Sequence, residues 1–410
     1  MNTTLWTKNY TRLIIATVFG CIGGIASNFA LSFLVFDETN SILASSIILA
    51  IQFIPGFIVP LILAPCMDRF SRKIFLVGGD IINGILYLLA GMYLMHYPFH
   101  YVGYLFFSLF LSMISSADQL AYNSIYPNVI PKGMEEKGYS ISALLYPVLQ
   151  VIMMPFAAIL MEWVGISWIL LMQGVFSILA AIIESKVEID QKLKKDKQRF
   201  NISLWYQDIK EVINYLKNEK GLKRMFSYMA LVNGVNVGYS PLLVAFFRVT
   251  PGLTSAMYAL FSVAEFIGRT IGGVLHYHVK IEKKKRFYCV YGINQIYLIM
   301  DMCLLWIPYP WMLINRGVCG FLGIHSATTR QSTIQQYVPD HIRARVNAYL
   351  DICILFMGSI STVLIGIMGE YLDAQTTITL CAFFVLVYYI ITIWMKRSEI
   401  KKVYENTCIE

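Results

Sequence analysis

Charged residues are scarce in this chain, and their scarcity excludes a soluble protein. Asp, Glu, Lys and Arg make up only 14% of the 410 residues, whereas 57% are hydrophobic and the mean hydropathy is +0.60. A typical soluble domain carries about 25% charged residues. The composition therefore predicts a polytopic membrane protein.

Motifs that would indicate an enzyme or a metal protein are also absent. The eight cysteines form no CxxC pair and no cluster with histidine at metal-ligand spacing, which argues against a disulfide framework and a metal site. The sequence contains no Walker A loop, no HExxH and no GxSxG. We predict a protein that is not an enzyme and that needs no cofactor and no metal.

Long apolar runs are what the sequence has in abundance. A membrane-spanning helix needs ~20 apolar residues, and twelve runs are of about this length. They occupy residues 11–36, 42–66, 74–96, 100–124, 139–161, 165–184, 222–247, 254–277, 287–307, 310–330, 346–369 and 376–396. Barrel strands would instead alternate over segments of ~10 residues. We predict an all-α polytopic membrane protein with twelve transmembrane helices.

One lysine-rich polar segment divides these runs into six and six. It predicts four regions: an N-terminal six-helix half (1–184), a cytoplasmic linker (185–221), a C-terminal six-helix half (222–396) and a cytoplasmic tail (397–410). Part of the linker, residues 205–216, has an amphipathic pattern and is expected to form a helix on the membrane surface.

The positions of Lys and Arg predict the orientation in the membrane. With the N-terminus inside, 30 of the 33 lie in the N-terminal arm, the cytoplasmic loops, the linker, the tail or the adjoining span ends. Such a bias predicts a multi-pass protein of the cell membrane with both termini in the cytoplasm. The same bias explains the net charge of +8, so the charge does not indicate nucleic-acid binding. The chain also has no soluble module that would bind nucleic acid.

The two halves resemble each other when the second is moved back by 208 positions. Residues 331–339 then lie over 123–131, with Ser332 on Ser124 and Pro339 on Pro131. Two repeats of six helices predict a transporter that works by rocking, with its substrate site between the halves near the midplane of the membrane.

A ten-residue stretch carries a family resemblance. Residues 64–73 read Ala-Pro-Cys-Met-Asp-Arg-Phe-Ser-Arg-Lys, and the chain resembles the major facilitator superfamily, whose loop pattern here is Gly-x-x-x-Asp-Arg-x-Gly-Arg-Lys. The charged positions match and both glycines are replaced. The short runs 68–73, 78–80 and 123–131 resemble the macrolide-efflux-type drug exporters.

The resemblance implies a role for the charged residues of this loop. Asp68, Arg69, Arg72 and Lys73 would form a cytoplasmic gate that holds one conformation and opens in the other. The alternative is that these residues serve only as a topology signal.

Ionisable residues inside the spans are candidates for coupling, because charge in hydrocarbon is costly. Glu265 and Arg269 lie four residues apart on one helix face, and Asp118 lies in span four. We expect these three to bind a proton or substrate. Alternatively, Glu265 and Arg269 only neutralise each other, and Asp118 only bonds to neighbouring groups such as Gln119.

Three other ionisable residues are interpreted as structural. Asp301 and Arg316 lie at one depth in spans nine and ten, which predicts a structural ion pair. Asp80 lies in span three, which is peripheral in the resembled family.

Amides and aromatic rings mark the helices that would line the substrate cavity. The candidates are Asn28, Phe29, Gln52, Tyr122, Gln150, Asn233 and Asn236. They favour a large amphipathic ligand.

These features together predict a monomeric exporter of an amphipathic or drug-like small molecule that works by alternating access in exchange for protons. Its partners would be the substrate, protons and the lipid bilayer. Two alternatives remain open: an exporter or flippase of a native metabolite or lipid, and a transporter-like sensor that moves nothing.

Overall fold

The computed structural model describes residues 4–67, 71–188, 202–278 and 281–405. These ranges are helical almost throughout and contain no β-strand. The all-α prediction is therefore confirmed for the part of the chain that is described. Asp68 and Arg69 of the predicted gate lie outside the described residues.

Fourteen α-helices make up this part of the chain. They are α1 (Lys8–Thr39), α2 (Ile42–Met67), α3 (Arg72–His96), α4 (Tyr101–Val129), α5 (Glu135–Trp163), α6 (Ile166–Glu184), α7 (Ile202–Asn218), α8 (Lys220–Val249), α9 (Ser255–His278), α10 (Lys283–Cys303), α11 (Tyr309–Tyr337), α12 (Asp340–Tyr371), α13 (Ala374–Tyr389) and α14 (Arg397–Glu405). A short 3-10 turn follows α10, and a π turn follows α13.

Each of the twelve predicted spans corresponds to one of these helices. Eleven described helices are long and apolar enough to cross a membrane. The exception is α11, which has the length but is more polar: it carries Asn315, Arg316 and His325, and its last third contains Arg330, Gln331, Gln335 and Gln336. The amphipathic segment 205–216 lies within α7, and α14 adds a helix in the region predicted as a tail.

Residues suited to tight turns separate neighbouring helices. Asn40 ends α1 in the left-handed conformation, with φ of 48°, and α2 begins two residues later. Gly165, with φ of 84°, separates α5 from α6, because glycine adopts this backbone conformation without steric cost. Asp373 caps α13 by accepting a hydrogen bond from the Thr376 N–H, which lowers the pKa of Asp373.

The chain forms two compact units. Unit 1 comprises Met1–Phe200 with Thr254–Ala259, and unit 2 comprises Asn201–Leu253 with Leu260–Glu410. In unit 1, α6 packs on α1 and α3, and α4 packs on α2 and α3. In unit 2, α8 packs on α12, and α10 packs on α11 and α13.

The repeat of 208 residues is visible in the helix boundaries. Moving α4 forward by 208 positions gives the first and last residues of α11. The same shift takes the start of α6 to the start of α13 and the end of α5 to the end of α12. Residues 208 apart therefore occupy equivalent places in the two units.

Glycines allow α9 and α11 to approach closely within unit 2. A Cβ atom on Gly268 would lie 1.8 Å from the Gly317 carbonyl oxygen, and one on Gly320 would lie 2.2 Å from the Glu265 carbonyl oxygen. Small residues at such contacts are how membrane helices gain close packing.

We expect Gly268→Ala to destabilise the protein by about 1–3 kcal/mol, because the added methyl group forces two backbones apart. The measurement is the thermal unfolding midpoint in detergent. The matched control is Gly273→Ala on the same helix, where the nearest atom to the new methyl group would be Ile324 Cγ1 at 4.0 Å. Equal midpoints for the two variants would contradict the expected clash.

Candidate functional site

Three carboxyl groups come together in unit 1. Asp80 lies on α3, Asp118 on α4 and Glu184 at the end of α6. All three interact electrostatically, since Asp118 is influenced by Asp80 and Glu184 by both aspartates. The cluster is therefore built from three helices.

Glycines on α3 produce this arrangement. A Cβ atom on Gly79 would lie 3.7 Å from Asp118 Oδ1, so α4 passes directly over the residue before Asp80. Farther along α3, a Cβ on Gly84 would lie 2.9 Å from the Gly174 carbonyl oxygen of α6. Close packing on both sides brings the carboxyl groups of α4 and α6 towards Asp80.

No described Lys or Arg forms an ion pair with this cluster. Among the residues that the structure describes, none of the three acids forms an ion pair, and Asp118 Oδ1 and Glu184 Oε2 are buried without a hydrogen-bond partner. Glu184 is only 4% exposed. An unpaired carboxylate in hydrocarbon is costly, and binding a proton removes its charge and with it that cost.

Sequence reasoning identified only part of this cluster. It selected Asp118 for coupling, and it interpreted Asp80 as a separate structural residue. Glu184 was missed, because an acid that closes an apolar run is ordinarily solvated at the span end. The available signal was that same position: an acid directly after six consecutive apolar residues, in a helix that contains no basic residue.

Unit 2 has a second ionisable cluster, and its charges are balanced. Arg269 Nη2 donates to Glu265 Oε1 at 2.6 Å, and Arg316 Nη2 donates to Asp301 Oδ1. The Asp301–Arg316 pair is buried, and Glu265 acts electrostatically on both of its members. Because two acids face two bases here, this cluster differs from the uncompensated one in unit 1.

A polar pocket lies between α8, α11 and α12. It has a volume of about 640 Å³, within the range of about 300–1,000 Å³ that is typical of small-molecule sites. Its lining comprises Met229, Asn233, Ala327, Thr328, Arg330, Gln331, Ser332, Gln335 and Ile354. Asn233 is the one predicted cavity residue in this lining, and its amide donates to the Met229 carbonyl oxygen at 2.7 Å.

The other predicted cavity residues differ in their surroundings. Asn28 and Asn236 are exposed, and they are equivalent in the 208-residue repeat. Phe29 is buried within unit 1 in an aromatic cluster with Phe33 and Tyr258, at centroid distances of 5.0 and 6.0 Å. Three more are partly buried: Gln52, Gln150 and Tyr122, of which Tyr122 stacks on Tyr126.

Two residues of the predicted gate are described. Arg72 begins α3, and its Nη1 donates to the Ser124 carbonyl oxygen of α4 at 2.9 Å. Ser124 belongs to the stretch 123–131 that recurs in the second half. Lys73, the next residue of α3, is partly buried.

Comparisons with known proteins agree on the fold. The profile of the Major Facilitator Superfamily matches residues 13–294, which is more than half of the chain. No match was found among curated protein sequences.

Solved structures of transporters have a similar fold over almost the whole chain. A bacterial homologue of the human lysosomal transporter Spinster, solved in an inward-facing and unoccupied conformation, has a TM-score of 0.69 at 13% identity, covering 97% of this chain and 96% of the other. The nucleoside transporter NupG has a TM-score of 0.70 at 13% identity, covering 95% and 99%.

Proposed function

The chain belongs to the major facilitator superfamily, and on that premise we propose that it exports an amphipathic or drug-like small molecule by alternating access in exchange for protons. Members of this family carry small molecules across membranes, and the eleven apolar helices fit a multi-pass membrane protein. Membership of the family does not specify export, the class of substrate or exchange for protons, and these three properties are proposed for this chain.

The observation that supports proton exchange is the unpaired carboxylate cluster of unit 1. Asp118 and Glu184 each have a buried oxygen without a hydrogen-bond partner in the described part of the chain. A group that is costly to charge and that has no fixed cation is suited to take up and release a proton. We assign proton binding to Asp118 together with Asp80 and Glu184.

The clusters of unit 2 support a role in substrate binding. The guanidinium of Arg269 already compensates Glu265, and the side chain of Arg269 is 59% exposed. A cationic substrate can compete with Arg269 for the Glu265 carboxylate. The polar pocket lined by Asn233 and Arg330 supplies further hydrogen-bonding groups. Asp301 and Arg316 keep the structural role that their spacing predicts.

Three further features complete the proposal. The runs 68–73, 78–80 and 123–131 support a substrate of the macrolide type, and the distribution of Lys and Arg supports cytoplasmic termini in the cell membrane. Asp68, Arg69, Arg72 and Lys73 would act as the cytoplasmic gate of a monomeric transporter.

The test is proton movement in inverted membrane vesicles. Cationic and macrolide-like compounds are added to vesicles that hold a pH gradient, and a compound that is exported is expected to dissipate the gradient only when the protein is present. If no compound in the panel moves protons, drug export fails. Uptake of a labelled native lipid or metabolite would then favour the alternative transport functions.

We expect Glu265→Gln to raise the KM for a cationic substrate about tenfold while the ratio of protons to substrate stays unchanged. The reason is that the variant removes a substrate-binding charge and leaves the cluster of unit 1 intact. The matched control is Glu282→Gln, since Glu282 forms an exposed pair with Lys285. Loss of proton movement in the Glu265 variant at saturating substrate would instead place coupling on α9.

A further inference from the structure

Unit 2 contains a second and larger cavity, away from its charged clusters. It has a volume of about 910 Å³ and lies between α7, α8, α12 and α13. Most of its lining is apolar. Along α12 it extends from Tyr349 to Met368, which corresponds to ~28 Å of helix. This length is close to the ~30 Å of a bilayer's hydrocarbon core.

The cavity is open on its side. Phe356, Leu364 and Phe384 belong to its lining and are 58%, 56% and 61% exposed. These exposed apolar side chains lie on two helices that are long and apolar enough to cross a membrane. We therefore infer that the cavity opens towards the hydrocarbon core of the bilayer.

Polar groups collect at one end of the cavity. Lys217 near the end of α7 and Lys223 near the start of α8 are exposed, and neither has an ion-pair partner among the described residues. Tyr388 donates to Ser227 Oγ at 2.9 Å at this same end. The opposite end, which includes Met368 and Leu380, has no charged group. The cavity thus has the polarity of an amphiphile with an anionic head.

Unit 1 closes the equivalent space. There, Phe19 of α1 packs on Phe176 of α6 with their ring centroids 5.5 Å apart. The positions 208 residues later are Ser227 and Phe384, and both line the cavity of unit 2.

A second equivalent pair shows the same difference. A Cβ atom on Gly23 would lie 1.9 Å from Gln173 Oε1, so the two helices touch at this level of unit 1. The equivalent residues in unit 2, Leu231 and Cys381, face the cavity. The cavity is therefore a feature of one repeat and not a consequence of the repeated fold.

We propose that this cavity is a binding site for an anionic phospholipid, with an acyl chain between α8, α12 and α13 and the phosphate beside Lys217 and Lys223. The lysines attract the negative headgroup, and the apolar walls bury the chain. Helix α7 closes the cavity with Ile213 and Leu216, so the bound lipid attaches α7 to unit 2.

The headgroup contact is tested by counting lipids that stay bound. The full-length protein is reconstituted with phosphatidylglycerol or phosphatidylcholine, and retained lipid is measured by native mass spectrometry. We expect Lys217→Gln with Lys223→Gln to lower phosphatidylglycerol retention by about tenfold or more. The matched control, Lys210→Gln with Lys220→Gln, removes two exposed lysines of the same helices that do not line the cavity. Equal retention in both double variants, or equal retention of the two lipids by the wild type, would overturn the proposal.

The acyl-chain contact is tested by closing the cavity. Ser227→Phe gives unit 2 the ring that Phe19 supplies in unit 1, opposite Phe384. We expect it to displace the retained phosphatidylglycerol, whereas Ser227→Ala, which removes only the hydroxyl, retains the lipid. If Ser227→Phe is folded and binds as much lipid as the wild type, the lysines act only as a charged surface and the cavity site is wrong. A stable dimer that covers the exposed rings would also overturn the proposal.

Discussion

Replacing Asp118 by asparagine is expected to abolish substrate-dependent proton movement while the protein stays folded. The amide has nearly the shape of the carboxyl group but does not take up a proton at physiological pH. No ion pair is broken, because Asp118 has none among the described residues, and one of its oxygens is buried without a partner. We therefore expect proton movement to fall by at least tenfold with an unchanged unfolding midpoint. Both quantities are measured on the same vesicle preparation.

Glu184→Gln is expected to have the same effect, because both acids belong to one cluster. A matched control is Glu188→Gln, four residues farther along, where the side chain is exposed. Full proton movement in both Asp118→Asn and Glu184→Gln would exclude the unit 1 cluster from coupling. A loss in the Glu188 control would show that any charge change near the end of α6 is sufficient, which would also contradict the assignment.

Breaking the Asp301–Arg316 pair is expected to cost more stability than any other single change considered. Asp301 is 1% exposed and Arg316 is 9% exposed, so Asp301→Asn leaves a buried guanidinium without its compensating carboxylate. Such a loss typically costs about 3–5 kcal/mol. The expected result is a strongly lowered unfolding midpoint in detergent and a small yield of folded protein.

Replacing both members of the pair separates the cost of an unpaired charge from the value of the pair itself. Asp301→Leu with Arg316→Met removes both charges, and we expect it to recover most of the stability lost in Asp301→Asn. The exposed pair Glu282–Lys285 supplies the comparison, since surface pairs contribute about 0–1 kcal/mol. A double variant as unstable as the single one would mean that packing, and not charge, explains the loss.

Much of the fold was predictable from the order of apolar and polar residues. Each apolar run became a helix, and the shift of 208 that aligned Ser124 with Ser332 also aligns α4 with α11. Burial of apolar side chains and satisfaction of backbone hydrogen bonds are local requirements in a membrane, so they appear directly in the sequence. Two helices were harder to predict, also for local reasons. The span of α11 contains polar residues, and α14 is too short and too polar to resemble a membrane span.

The candidate sites were predictable only where their members lie on one helix or at one depth. Glu265 and Arg269 are one turn apart, so helix geometry alone brings them together. Asp301 and Arg316 lie at the same depth in two consecutive spans, so their pairing was predictable from the positions of the span ends. Glu184 and Asp80 had no such relation in sequence, since their meeting depends on how α3 and α6 pack.

The sequence by itself determined the class of protein, the number of apolar runs and the repeat, because each of these follows from composition and spacing along the chain. The family followed from the resemblance of residues 64–73 and from the profile that matches residues 13–294. Among the described residues, the tertiary structure decided which acids have no ion-pair partner, and that α8 and α13 line a cavity at positions where the equivalent residues of α1 and α6 are in contact. Both depend on the rotation and separation of packed helices. Gly23 and Gly84 allow a short separation because they have no side chain between the two helices. The sequence shows these glycines, but only the structure shows which helix packs against each of them.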